Sequence, residues 1–276
     1  MLFKNPKLLI ISSIIAVVLP ELALACGNTS DGFKKWLSNA HTDAINKGID
    51  QEILNKIFPT ISYNLATINA DRNQSSLKLS FDDFLQKRGV NNIVNKGKVL
   101  KKKYANLFKS IKEIYGVPAG PLLAIWGMET AFGTSIGKQH TLSALATLAY
   151  DCRRSAFFTE QFNIALELIA EGKMDPNSRG ALHGEIGQFQ FLPSNLKKFG
   201  VDGNNDNVVD IINSKADAFA STANFFKKNG WQPGVGYQPD EPNFKAIKSW
   251  NASTVYQKAI AYAAAKIDEI KLKKVY

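Results

Sequence analysis

Leu122, Ile125, Trp126 and Glu129 fall at i, i+3, i+4 and i+7, across the stretch AIWGMETAFG at 124–133. That spacing marks one face of a helix. The segment is apolar or small nearly throughout, so the rest of the chain must cover it. An ionised carboxylate on such a face is costly unless it is paired or hydrogen-bonded. The helix should end near Thr130, because Phe132, Gly133 and Thr134 have turn chemistry. Glu129 then lies in the last turn, at the rim of whatever the apolar face packs against. Two roles fit it there. It is a structural group that caps an amide or pairs with an arginine, or it is a carboxyl kept protonated by partial desolvation and used as a general acid.

The remaining pattern is helical and has few strand signals. Phe33, Trp36, Leu37 and Ala40 have helical spacing, and 49–57 continues it. Residues 60–80 read as polar and irregular, with 71–76 an exposed loop. Helical patterns resume at Phe81, with Gly97 a candidate interruption and 98–115 a further helix. Gly116, Val117 and Pro118 break the chain before the Glu129 segment. Further helices are expected over 141–150, 158–170, 216–229 and 254–272, and a glycine-rich functional loop or short helix over 172–190. The chain from residue 26 to 276 reads as one mainly α domain, with a smaller helical lobe in 26–80.

Residues 1–25 read differently. Lys4 and Lys7 precede an apolar run at 8–18, and Ala23 and Ala25 supply small residues at −3 and −1 of a cleavage site. This is the pattern of a secretory signal peptide, and the run is shorter than the ~20 residues of a spanning helix. The expected location is the periplasm. The two cysteines then have two readings. Cys26 is lipid-modified, which would make the protein an outer-membrane lipoprotein, or it pairs with Cys152 in an oxidising compartment. The formal net charge of +10 suits an anionic neighbour such as a wall polymer, lipid headgroups or nucleic acid, or is a solvated basic surface.

Three further segments concentrate polar chemistry. LATLAYDCRRSAFF at 145–158 carries Tyr150, Asp151, Arg153 and Arg154 beside Phe157 and Phe158. Adjacent arginines cannot share one helical face, so they should serve different partners, one of them Asp151 or Glu129; alternatively, this is a helix end with solvated arginines. HGEIGQFQFLPS at 183–194 interleaves Gln188 and Gln190 with phenylalanines. That mixture suits sugars, which offer hydroxyl rims and C–H faces. Gly184 and Gly187 would let backbone approach a ligand; alternatively, the segment is a glycine-rich turn before a helix capped by Ser194. VDGNNDNVVDI at 201–211 spaces Asp202, Asn204, Asp206 and Asp210 as oxygen ligands for calcium. The glycine of position six is Asn207, however, and position twelve is Asn213 rather than Glu, so an unmetallated Asx-rich turn also fits. Only three histidines occur, and no Ser-His-Asp order, zinc motif or phosphate loop stands out.

These segments occur together and in order with YGVPAGPLLAIWGMETAFG, GEIGQFQFLPSN, ANFFKKNGW and WNASTVY. Over about 81–256 the chain resembles the membrane-bound lytic transglycosylase B family of murein-degrading enzymes. The resemblance implies a lysozyme-like helical fold with a cleft for peptidoglycan glycan strands. It implies cleavage of the β-1,4 bond between N-acetylmuramic acid and N-acetylglucosamine, leaving a 1,6-anhydromuramoyl end. Glu129 matches the catalytic position. Gln188, Gln190, Arg153, Arg154, Trp250, Asn251 and Tyr256 are the implied glycan contacts. The implied partners are glycan strands and a cell-envelope protein complex, with no nucleic acid, and no cofactor beyond a structural calcium. Glu185 departs from the family pattern, which has Ala there, and places a second carboxylate near the site. Two other readings remain at this point: a hydrolytic muramidase using Glu129 with Glu185, and a non-catalytic glycan-binding envelope protein.

Overall fold

The computed structural model describes residues 26–73 and 79–272. The predicted leader and residues 74–76 of the predicted loop lie outside the described residues. The chain opens with α1 (Ser30–Asn46), α2 (Gln51–Ile57) and α3 (Leu65–Arg72). Each starts where a side chain accepts an otherwise unpaired N–H: Thr29 from Gly32, Asp50 from Glu52 and Ile53, Asn64 from Thr67. Then follow α4 (Phe81–Lys87), α5 (Val90–Lys103) and α6 (Ala105–Tyr115). Gly116, at φ 75°, ends α6 in the left-handed region, and Pro118 precedes α7 (Ala119–Thr130). The second half holds α8 (Thr141–Tyr150), α9 (Ser155–Ala170), α10 (Pro193–Phe199), α11 (Lys215–Lys228), α12 (Phe244–Trp250) and α13 (Thr254–Asp268). A two-stranded antiparallel ribbon, β1 (Gln139–His140) with β2 (Arg179–Gly180), is the one sheet among the described residues. The mainly α expectation holds.

The Glu129 helix is more buried than a one-sided stripe. Every residue of α7 except Glu129 is buried, because α5, α11 and α13 pack against it. The alignment of α7 with α13 places the site. At one end the Gly120 N–H donates to Asp268 Oδ1 at 3.1 Å, and a Cβ at Gly120 would stand 2.4 Å from the Ala264 carbonyl oxygen. Only glycine permits that approach, and the alanines of α13 supply a flat surface for it. Asp268 also takes Lys101 Nζ at 2.8 Å and Tyr237 Oη at 2.9 Å. With α13 antiparallel and pinned there, its Tyr256 arrives beside Glu129 at the other end.

Residues of α1 and α2 join the same buried cluster as α7, α8 and α9, with Phe33 and Trp36 packed around Tyr150 and Phe162. Cys26 and Cys152 form a disulfide. It uses the Sγ that lipid attachment at Cys26 would need, so the bridged reading is correct for this structure.

Several local expectations are corrected. Residues 65–72 are helical rather than irregular. Asp71 is 2% exposed rather than part of a surface loop, because tertiary ion pairs bury it. Gly97 lies inside α5, where a side chain would strike Ile267. The helix expected over 98–115 breaks at Tyr104 (φ −106°, ψ 29°) into α5 and α6. The last helix stops at Asp268, with Glu269 in the left-handed region, and not at Leu272. Ser194 lies inside α10 behind Pro193, which takes the first turn. The helix over Phe244–Trp250 carried no strong sequence signal; it is anchored by buried Phe244, Ala246 and Ile247.

Candidate active site

Glu129 is the one part-exposed residue of an otherwise buried helix. Tyr256 Oη donates to Glu129 Oε1 at 2.7 Å, and Trp250 Nε1 donates to the same oxygen at 3.1 Å. Oε2 takes no hydrogen bond from the described residues. Burial raises the pKa of the Glu129 carboxyl above its ordinary value. The two hydrogen bonds and the positive charge of Arg88 oppose that rise, and the negative charge of Glu185 adds to it. The net effect is a proton retained to higher pH. It belongs on Oε2, because Oε1 already accepts two donors.

The two donors are themselves held. Tyr256 is buried, its ring 6.0 Å from Phe84 with the Arg88 guanidinium 5.8 Å above it. Desolvation, then the Glu129 charge, raises its hydroxyl pKa well above the ordinary value, so it stays a donor. Trp250 ends α12 in a cage of Phe191, Phe225 and Phe226, with ring centroids 5.7, 5.1 and 6.0 Å away. Arg88 and Phe84 were not among the residues singled out from the sequence. Arg88 has no local sequence signal for this role and lies 41 residues before Glu129.

Glu129 is also fixed from below. The chain leaves α7 through Ala131, Phe132 and Gly133 at φ 49°, 64° and 79°. Two non-glycine residues in the left-handed region cost on the order of 1–3 kcal/mol each and persist only where the surroundings hold them. Thr130 supplies part of that hold. Its Oγ1 accepts from the Gly133 N–H at 3.0 Å and donates to the Gln188 carbonyl at 2.8 Å.

Gln188, expected at the glycan, is turned inward. Its Oε1 accepts from Trp126 Nε1 at 2.9 Å and its Nε2 donates to the Ile212 carbonyl at 2.7 Å. It is a strut between α7 and the 208–213 turn. Gln190 is half-buried, in the left-handed region at φ 53°, and donates to the Ile136 and Gly187 carbonyls. Asn251 is half-exposed, and its Oδ1 accepts from the Ser253 N–H at the start of α13. Gly184 and Gly187 give close approach to protein rather than to ligand. A Cβ at Gly184 would meet Leu145, and one at Gly187 would stand 2.5 Å from the Ile211 carbonyl oxygen.

The arginines have one partner, not two. Arg153 binds Asp71 in a bidentate fork, and Arg154 Nη2 donates to the same carboxylate. Asp151 is taken instead by Arg72 of α3 at 2.6 Å. Neither arginine is ion-paired with Glu129 among the described residues. Burial alone would raise the Asp71 pKa, but the hydrogen bonds and charges of Arg153 and Arg154 outweigh it and hold the carboxyl below its ordinary value. His183 connects this cluster to the site, with Nε2 3.7 Å from Asp71 Oδ1 and Nδ1 3.9 Å from Glu185 Oε1. Glu185 is about one-quarter exposed (27%).

The aspartates of the loop expected to hold calcium are hydrogen-bonded within the loop. Asp202 spends its carboxylate on the N–H groups of Asn204, Asn205, Asp206 and Asn207. Asp206 takes the Val208 N–H and the Asn204 amide, and Asp210 takes Ile212 and Asn213. Asn207 supplies the left-handed turn at φ 69° that position six needs. No group of three or more His, Cys, Asp or Glu among the described residues is arranged to hold a metal. A cavity of about 450 Å³ lies against this loop, between Asp175, Arg179 and Asp210; Glu129, Trp250 and Tyr256 are not part of it.

The chain belongs to the transglycosylase SLT domain family, which matches residues 32–240. It is 34% identical over 143 residues to the membrane-bound lytic murein transglycosylase B of Escherichia coli (strain K12). That match covers 51% of this chain and 39% of the relative, so the chain spans about two-fifths of that protein's length. Among solved structures, SltB3 from Pseudomonas aeruginosa, in complex with NAG-anhNAM-pentapeptide, is 25% identical with a TM-score of 0.79, covering 86% of this chain and 79% of that one. The Escherichia coli Slt35 structure with calcium is 22% identical with a TM-score of 0.76, covering 91% of this chain and 97% of that one. The expected lysozyme-like fold is thereby established.

Proposed function

We propose that this protein is a lytic transglycosylase that cleaves the β-1,4 bond between N-acetylmuramic acid and N-acetylglucosamine in peptidoglycan strands. The observation that carries the reading is a carboxyl with a raised pKa whose one oxygen is tied by Tyr256 and Trp250 while the other is left to hold a proton. The family membership and the murein fragments named in the SltB3 complexes support it.

Glu129 first donates its Oε2 proton to the glycosidic oxygen. The carbonyl oxygen of the muramoyl N-acetyl group attacks C1 as the C1–O bond breaks, and the N-acetylglucosamine end departs as an alcohol. Substrate assistance of this kind needs no second carboxylate. The Glu129 carboxylate, now stabilised by Tyr256, Trp250 and Arg88, takes the proton of the muramoyl 6-hydroxyl. O6 attacks C1, the acetyl oxygen leaves, and a 1,6-anhydro ring closes without consuming water. Gln190, Asn251, Trp250 and the exposed parts of Arg153 and Arg154 contact the glycan. The leader at 1–25 directs export to the periplasm, where an envelope complex could hold the enzyme at the wall.

Mass spectrometry of muropeptides from digested murein tests the assignment. Ends lighter by one water, as anhydro forms, support it. Reducing ends would favour a muramidase using Glu185 as base. No cleavage products at all would leave glycan binding alone.

A further inference from the structure

The cavity of about 450 Å³ holds none of the residues proposed to act on the glycan. Its size lies within the ~300–1,000 Å³ of small-ligand pockets. Met174, Ile186 and Leu196 line it and are buried, and Val208, also lining it, is 57% exposed. Ser178 lines it too and is only 5% exposed. The Ser178 N–H donates to the Asp175 carbonyl and its own carbonyl accepts from the Thr141 N–H, but its Oγ has no hydrogen-bond partner among the described residues. A buried hydroxyl left unpaired is costly, and an amide of a ligand could pair with it.

Four charged side chains line the same cavity, and two of them are already satisfied. Lys173 pairs with Glu171 at 2.6 Å, and the Asp210 carboxylate accepts from the Ile212 and Asn213 N–H groups and the Asn213 side-chain amide. Arg179 and Asp175 have no ion pair among the described residues. Arg179 Nη1 donates to the Lys138 carbonyl at 3.0 Å, and Asp175 Oδ1 accepts from the Asn177 N–H at 2.8 Å. Each keeps further capacity for a partner of opposite charge. An anion alone would be opposed by Asp175, and a cation alone by Arg179. A ligand that carries both charges answers both residues, and an apolar body answers the buried lining.

We propose that this cavity binds a short apolar peptide with both termini free, its ammonium toward Asp175 and its carboxylate toward Arg179. The walls it would rest against adjoin the site: the carbonyls of Ile136 and Ile212, which both line the cavity, accept the side-chain amides of Gln190 and Gln188. Binding there does not depend on the chemistry proposed for Glu129.

The test is titration calorimetry of the full chain with the tripeptide alanyl-leucyl-alanine, which needs no murein and no cleavage. The free tripeptide should bind with a Kd below about 1 mM. Its N-acetylated form and its C-terminal amide should each bind about threefold or more weakly, since each has lost one charge. A peptide tethered through its amino end, as on a glycan strand, is represented by the acetylated form. Arg179→Ala and Asp175→Asn should each weaken the free tripeptide about threefold or more, while Lys245→Ala, exposed elsewhere, changes it less than about twofold. No heat of binding at about 1 mM peptide would overturn the proposal. So would equal binding of either blocked form, or wild-type affinity in either cavity variant. Circular dichroism and thermal melts establish that each variant is folded, and the blocked peptides test the site on the unaltered protein.

Discussion

Tyr256 Oη donates to Glu129 Oε1 across 2.7 Å, although the two residues are 127 positions apart in sequence. The bond favours the ionised carboxylate, whereas burial favours the neutral acid. The pair therefore sets the pH at which the proton is available. Tyr256→Phe removes the bond and should raise the Glu129 pKa further. The alkaline limb of the pH–rate profile should move up, because the acid stays protonated longer. The rate should fall about tenfold or more, since a hydrogen bond to a charged group is worth about 1.5–3 kcal/mol. An alkaline limb that moves down would contradict this account of the carboxyl.

Glu129→Gln should fold normally, because the amide oxygen still accepts from Tyr256 and Trp250. It cannot release a proton, so murein cleavage should fall by about 10²–10⁴-fold or more. Turbidity clearing of purified murein, with a thermal melt alongside, checks both halves. Retention of more than about a tenth of the rate would remove Glu129 from the chemistry.

Glu185→Ala removes a like charge that raises the Glu129 pKa. The alkaline limb should therefore move down, with a modest loss of rate and products that are still anhydro forms. Inactivity as complete as that of Glu129→Gln, with reducing ends from the wild type, would establish a two-carboxylate hydrolase.

Asp71→Asn tests the tie between α3 and the turn after α8. The Asp71 carboxyl is buried and accepts from two guanidinium groups that are 44% and 36% exposed. Breaking a fully buried pair costs about 3–5 kcal/mol. The exposure of the arginines reduces this to about 1–3 kcal/mol, read as a lower unfolding midpoint. Because the folded pKa of Asp71 is lowered, its contribution is present above the ordinary carboxylate range and is lost as pH falls through the lowered value. The variant should lose that part of the acid dependence.

Reduction of Cys26–Cys152 opens a link between positions 126 residues apart. A bridge over so long a loop contributes about 2–5 kcal/mol. Calorimetry with and without reductant should show the drop, and thiol titration of the denatured, unreduced protein should find no free thiol.

The sequence by itself determined the helices with strong punctuation. Gly116, Val117 and Pro118 isolated α7, and the apolar spacing through Leu122, Ile125 and Trp126 placed Glu129 in its last turn. The ordered motifs pointed to the right family, and the two cysteines to one bridge. These features depend on local periodicity, on caps and on residue identity, all of which can be read along the chain. Tertiary structure alone decided who meets whom. Gln188 carries the same amide as Gln190, yet it is a strut because Trp126 and Ile212 stand at its two ends. Arg153 and Arg154 converge because α3 delivers a buried Asp71 from 82 and 83 residues away. Arg88 joins the site only because α4 lies against α13. The physical reason is range. Helix propensity and capping act within a few residues, whereas the pKa of Glu129 is set by desolvation and by donors and charges from four other segments, brought together only when α13 docks antiparallel to α7.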